Sequence, residues 1–238
     1  MKLFLPKQHG AWAMLIIPFW LGAAATEFVW QHIPFFIGWI LLYLATYPML
    51  FLFKKKKVAF YRKWTLIYLL PALAFLMVPL FTTPTIVLFG LAMLPFFAVN
   101  AYYSSRKDER ALTNDISAIL CFSIAGLASS FLPTGSLNLE AWVVFVAVTL
   151  FFIGSTFYVK TMVREKNNLR YKYLSWSYHA IIPVLWFLFG EWIVAIALIP
   201  SLVRAIIFYG NPLGMMKLGI YEIANAGLFF IIILLAII

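Results

Sequence analysis

The chain has 238 residues, 65% hydrophobic and 11% charged, with 18 Lys and Arg against 8 Asp and Glu for a formal charge of +10. A water-soluble domain of this size needs a polar surface that such a composition does not supply, so a soluble enzyme or soluble binding module is excluded. The basic excess does not mark a nucleic-acid partner either, because the charges sit in short stretches beside apolar runs.

Nine apolar spans follow in chain order, each about the ~20 residues a bilayer-crossing helix needs. They cover 9–26, 33–53, 64–81, 84–103, 111–132, 139–160, 173–189, 191–209 and 219–238. The expected fold is all-α: a polytopic membrane protein of nine transmembrane helices, with residues 1–238 as one integral membrane domain. The first segment shares Lys2, an apolar run and Ala23 to Ala25 with signal peptides. Pro6, His9 and Trp12 break up its early part, and its apolar stretch is long for a signal core, so it reads as an uncleaved helix. Cys121 falls in the fifth span, where a lone thiol reads as a small apolar residue and permits no intrachain disulfide.

The gaps between spans alternate in charge. Lys2 and Lys7 precede the first span, and Lys54 to Lys57, Arg62 and Lys63 follow the second. Arg106, Lys107 and Arg110 follow the fourth. Lys160, Arg164, Lys166, Arg170 and Lys172 follow the sixth, and Arg204 and Lys217 flank the gap after the eighth. The other gaps carry Glu27, Glu140 and Glu191 instead. The positive-inside rule then puts the N-terminus in the cytoplasm and the C-terminus outside. The lysine run at 54–57 reads as an anchor for anionic head groups, at ~1 kcal/mol per basic residue.

A shift of 110 residues lays Thr46 on Thr156, Lys54 on Arg164, Tyr61 on Tyr171 and Asp115 on Asn225. Spans one to four would then echo five to eight, a parallel repeat of the kind that brings a site between halves in some transporters. Basic residues also recur at these places for topological reasons alone.

Ionisable groups within spans are costly, so each is a candidate for function. His9 lies three residues before Trp12, and Asn100 ends the fourth span. Asn114 and Asp115 open the fifth span, where the plainer reading is helix capping and the helix dipole. Tyr158 and Lys160 close the sixth span. Thr156, Lys160 and Arg164, spaced by four, share a helix face. Lys160, Arg164 and Arg204 are also placed to snorkel to the interface. His179 lies in the seventh span, and Tyr221, Glu222 and Asn225 lie in the first turns of the ninth. Glu222 needs a cationic partner, for which Arg204 and Lys160 are the candidates. Polar groups at one depth describe a cavity open to the cytoplasm with an apolar body beyond, which suits an amphipathic lipid better than a solute crossing the membrane.

The opening Pro6-Lys7-Gln8-His9-Gly10-Ala11-Trp12, the run Asn100 to Asp115 and the run Phe157 to Glu165 resemble the bacterial YwiC-like family over essentially the whole chain. This resemblance implies a bacterial inner-membrane protein and brings no reaction with it. Nine helices with loops after helices two and six also resemble, more distantly, the UbiA superfamily of intramembrane prenyltransferases. That likeness implies a UbiA-like helical bundle, a prenyl or quinone-type lipid as substrate, and Mg²⁺ held by Asp-rich motifs in those two loops. Here the chain departs from the pattern. Four lysines follow Phe53, and Glu165 is the only acid after helix six, so no catalytic residue of that superfamily carries over. Asp108, Glu109 and Asp115 are the remaining candidates for Mg²⁺, with Arg106 and Arg110 as competing partners.

Three functions follow. A lipid-modifying enzyme would use His9 as base, with Asn100, Asn114 and Asp115 orienting an acceptor. Lys160, Arg164, Tyr158, Glu222 and Asn225 would hold the lipid head group. A non-catalytic lipid or quinone binder, or an assembly factor, would use the same cavity without turnover. A small transporter would draw on the repeat and on prolines within the spans. Haem ligation, nucleotide loops, zinc spacings and nucleophile elbows have no support in the sequence.

Overall fold

A chain segment in hydrocarbon must satisfy its own backbone hydrogen bonds, and an α-helix does so within the segment. The computed structural model describes residues 3–6, 9–54, 57–211 and 213–238, without the side chain of His9. Lys2, Lys7, Gln8, Lys55 and Lys56 lie outside the described residues. The described helices are α1 His9–Ala24, α2 His32–Leu52, α3 Val58–Thr82, α4 Val87–Ser105 and α5 Leu112–Phe131. They continue with α6 Leu139–Val163, α7 Leu169–Leu188, α8 Trp192–Ile207 and α9 Met215–Ile237. A 3-10 turn, Pro84–Ile86, leads into α4. Six of these segments are long and apolar enough to cross a membrane, and Gly10–Ala24 and Trp192–Ile207 are shorter apolar helices. The fold is that of a polytopic helical membrane protein.

Three helices start a turn or more earlier than hydropathy indicates, among them α9, which begins at Met215 and takes Lys217 onto its first turn. α3 begins at Val58 and takes Arg62 and Lys63 onto its first turns. α7 begins at Leu169, because the Asn168 side chain accepts from the amides of Arg170 and Tyr171 at 3.1 and 3.4 Å. Hydropathy marks where the apolar layer begins, whereas a helix runs on into the polar interface for as long as its caps allow.

The helices gather into two compact units, residues 1–145 and 146–238. The boundary falls within α6 rather than after α4. In the first unit α1 lies against α5 and α2 against α3. Leu15, Phe19, Phe35, Trp39, Ala125 and Ala128 form its core. Small residues let α1 and α5 come close: a Cβ at Gly22 would lie 2.1 Å from the Gly126 carbonyl oxygen. The Ser130 hydroxyl donates to the Gly22 carbonyl at 2.8 Å across the same contact. Close backbone approach and interhelical hydrogen bonds are the usual glue between helices in lipid, where apolar side chains gain little by leaving the tails.

His32 is fully buried at this end of the unit. Its Nε2 donates to the Ser129 carbonyl at 2.9 Å, and its Nδ1 accepts from the Val29 amide at 3.0 Å. Asn138 donates to the Ala25 carbonyl at 2.9 Å and accepts from the Ala141 amide at 2.8 Å, fixing the start of α6. His32 and Asn138 thus lace this end of the unit with hydrogen bonds.

In the second unit Tyr158, Met162, Ala205 and Leu218 join α6, α8 and α9. The rings of Phe151 and Phe229 stack at 4.1 Å. Trp176 of α7 donates to the Ala205 carbonyl of α8 at 3.0 Å.

Gly22→Ala would force α1 and α5 apart. The expected result is a loss of about 1–3 kcal/mol or failure to fold, read as a fall in the thermal midpoint followed by Trp fluorescence. Gly90→Ala, where a Cβ meets nothing within 4 Å, should leave the midpoint unchanged or raise it.

Candidate functional site

Three helices of the second unit each place two polar side chains one turn apart. α6 brings Ser155 and Tyr158, α8 brings Ser201 and Arg204, and α9 brings Glu222 and Asn225. Residues three apart share a helix face, so each pair points at its neighbours together. Arg204 and Glu222 form a buried ion pair, with side chains 5% and 16% exposed. The Arg204 guanidinium lies 4.1 Å from the centre of the Tyr158 ring, a cation–π contact. A second guanidinium nitrogen of Arg204 is 3.5 Å from the Ser155 hydroxyl. Asn225 donates to the Ser201 hydroxyl at 2.9 Å and closes the group.

Two donors in this centre are buried and find no partner: the Tyr158 hydroxyl and Arg204 Nε. Such orphans are rare in native structures and call for an explanation, of which a water, an ion or a ligand is the usual one. His179 of α7 is buried in the same unit.

The residues expected to hold a head group divide. Tyr158, Glu222 and Asn225 are brought together, with Arg204 as the partner that Glu222 required. Lys160 is buried on α6, but on the face it shares with Thr156 rather than the one formed by Ser155, Tyr158 and Met162. Arg164 is exposed, and with Lys166 and Arg170 it lines an open hollow of about 730 Å³ in the α6–α7 loop. Glu165 in that loop accepts from Asn168 at 2.8 Å.

The residues expected to carry catalysis belong to the first unit. Asn100 donates to the Phe96 carbonyl of its own helix at 2.7 Å, and Ser117 of α5 donates to the same carbonyl at 3.0 Å, which joins α5 to the middle of α4. Asn114 does not cap α5. Its amide donates to the Glu109 carbonyl at 2.9 Å, while its buried Oδ1 has no partner. Asp115 lies in the first turn of α5, where its charge suits the helix dipole. The side chain of His9 lies outside the described residues. Glu109 forms an ion pair with Lys54. Partial burial pushes its carboxyl up, but the hydrogen bond and charge of Lys54 outweigh that and hold it below its ordinary range. Among the described residues no three of His, Cys, Asp and Glu gather as a metal would need.

Ser155, Ser201 and Arg204 are the centre's members that sequence reasoning left out of its candidate ligand set. The signal that finds them is the recurrence of a polar pair three residues apart on the sixth, eighth and ninth spans.

A helical membrane protein with a charged centre buried among three of its helices is the class that fold and site define. Comparison places it more closely: the YwiC-like protein family profile matches residues 5–130, and the chain belongs to that family. It is 45% identical over 235 residues to the Bacillus subtilis (strain 168) protein named "Uncharacterized protein YwiC", across 99% of this chain and 98% of that one. A Haemophilus influenzae protein named "Uncharacterized protein" is 40% identical over 236 residues, across 99% of both chains. No solved structure matches the chain significantly.

Removing one partner of a buried ion pair leaves the other charge uncompensated, at a cost of about 3–5 kcal/mol. Arg204→Met and Glu222→Leu should each lower the thermal midpoint in detergent strongly. The double variant should recover most of the loss, because two well-packed apolar side chains leave no charge behind.

Proposed function

We propose that this protein binds an amphipathic lipid of prenyl or quinone type, with the polar head at the Tyr158–Arg204–Glu222 centre. The observation that carries this reading is the pair of buried donors, Tyr158 Oη and Arg204 Nε, that no group of the protein satisfies. They ask for acceptor oxygens, such as those of a phosphate or a quinone. Glu222 already balances the Arg204 charge, so a neutral or weakly anionic head is accommodated without leaving a net buried charge. The exposed Arg164, Lys166 and Arg170 at the α6–α7 loop attract anionic head groups to the same unit.

Binding is favoured over metal-dependent prenyl transfer by the state of three carboxylates, one of them the Mg²⁺ candidate Glu109. Glu109 is engaged by Lys54, Glu165 by Asn168 and Glu222 by Arg204. Each would have to give up an internal partner before it could hold Mg²⁺ on a diphosphate.

Purification in mild detergent followed by native mass spectrometry tests the reading. A prenyl or quinone-type lipid should co-purify. Tyr158→Phe, which removes one hydroxyl, should cut its retention by about tenfold, the worth of one hydrogen bond to a buried group, without lowering the thermal midpoint. Recovery of bulk phospholipid alone, lost on mild delipidation, would overturn the reading. Turnover of the bound lipid on addition of Mg²⁺ would replace it with transfer.

The same reading takes the membrane to be the bacterial inner membrane, with the N-terminus cytoplasmic and the C-terminus outside, on the strength of the positive-inside alternation. Alkaline phosphatase fused after Ile238 should be active, and fused between Asn167 and Asn168 it should be inactive. The reverse pattern would invert the orientation.

A further inference from the structure

His179 is the buried histidine that the lipid centre does not use. Its Nδ1 lies 2.7 Å from the carbonyl oxygen of Ser175, one turn back on α7. A carbonyl only accepts, so Nδ1 carries the proton and donates it there. The neutral ring then presents a bare lone pair at Nε2. That atom is buried and has no partner.

The space in front of it is small and shaped. Leu150, Phe151, Gly154, Tyr178, Leu198 and Ser201 line it together with His179, and its volume is about 10 Å³. This is room for one water molecule or one hydroxyl group. Gly154 keeps it open: a Cβ there would lie 3.1 Å from Nε2 and 3.2 Å from the Tyr178 ring. The neighbouring hydroxyls do not fill the vacancy at Nε2. Tyr178 donates to the Leu150 carbonyl at 2.9 Å, and Ser201 accepts from Asn225.

Nε2 therefore faces the space as an unanswered acceptor, beside a Ser201 hydroxyl that accepts from Asn225 and makes no hydrogen bond to Nε2. Pro183 also lines the space, and having no N–H it deprives the His179 carbonyl of its helical partner. A cation would satisfy such a set, but Arg204 stands one turn along α8 from Ser201 and disfavours a second positive charge. A neutral O–H donor fits. Leu150, Tyr178 and Ile182 are only half-buried, so the space lies just beneath the surface that the lipid tails cover.

We propose that His179, Ser201 and Gly154 form a hydroxyl-binding position, in which Nε2 accepts the O–H of the ligand's head group and a water takes its place when the ligand is absent. This rests on the lipid-binding reading and sharpens it. The ligand carries a hydroxyl donor, as a hydroquinone, phenol or prenyl alcohol does, in addition to the acceptor oxygens that Tyr158 and Arg204 require.

The probes are decylhydroquinone and its dimethyl ether, which share a tail and ring oxygens and differ in O–H donors. Both are titrated into the purified protein in nanodiscs, with histidine labelled with ¹⁵N. The wild-type protein should bind the hydroquinone about tenfold more tightly, the worth of one neutral hydrogen bond in a buried site. The bare Nε2 resonance, assigned by its loss in His179→Leu, should shift with the hydroquinone and stay still with the ether. In Gly154→Ala and His179→Leu the preference should vanish while binding of the ether persists. Equal binding of both probes by the wild-type protein, or an unmoved Nε2 resonance, overturns the hydroxyl position and leaves the lipid-binding reading standing. Failure of either probe to bind, with no lipid co-purifying, overturns both. The wild-type resonance decides the matter even where a variant does not fold.

Discussion

A charge inside hydrocarbon survives only when another group of the protein answers it, and the Arg204–Glu222 pair is where this chain meets that requirement most severely. The pair ties α8 to α9 and sets how the two helices face each other. With that fixed, the Tyr158 ring sits against the guanidinium, and Ser155 follows on the same face of α6. The link from Asn225 to Ser201 is the same helix pair joined one turn further along. The second unit is thus held by polar matching, with the Tyr158, Met162, Ala205 and Leu218 contact packed around it.

The first unit solves the same problem by other means. α1 and α5 approach until backbone nearly touches backbone at Gly22 and Gly126, and the Ser130 hydroxyl stitches the seam. Lys54 and Glu109 also pair there, but outside the apolar layer, where side chains 19% and 35% exposed keep part of their hydration. An ion pair so placed is worth little by comparison with one within the spans. The two units therefore differ in what a polar substitution would disturb: helix separation in the first, charge balance in the second.

Hydropathy made the helices legible because length and apolarity are what the bilayer demands of each segment independently. The ends of α3 and α7 were not legible in the same way, since the amide cap at Asn168 acts outside the layer that hydropathy senses. Within the site, Glu222 advertised its need for a cation by its position alone, and Arg204 was one of two candidates. Choosing between Arg204 and Lys160 required knowing which face of α6 turns toward α8. The spacing by four of Thr156, Lys160 and Arg164 drew the eye to a face that does not carry the centre, whereas Ser155 and Tyr158, spaced by three, do. Asn100 and Asn114 each spend an amide donor on a nearby backbone carbonyl, a contact that sequence spacing does not reveal.

The two buried histidines show why burial and residue type do not by themselves mark function. His32 gives the Nε2 proton to Ser129 and receives the Val29 amide at Nδ1, so both ring nitrogens are spent on joining α2 to its neighbours. His179 spends Nδ1 on its own helix and leaves Nε2 aimed at a space that a glycine keeps clear. A histidine with both nitrogens matched can be exchanged only for something that makes the same two bonds. One with a lone pair held bare in an apolar unit costs free energy until a donor arrives. The donors at Tyr158 and Arg204 and the acceptor at His179 all lie in the second unit, and the proposed ligand would answer them with oxygens of both kinds.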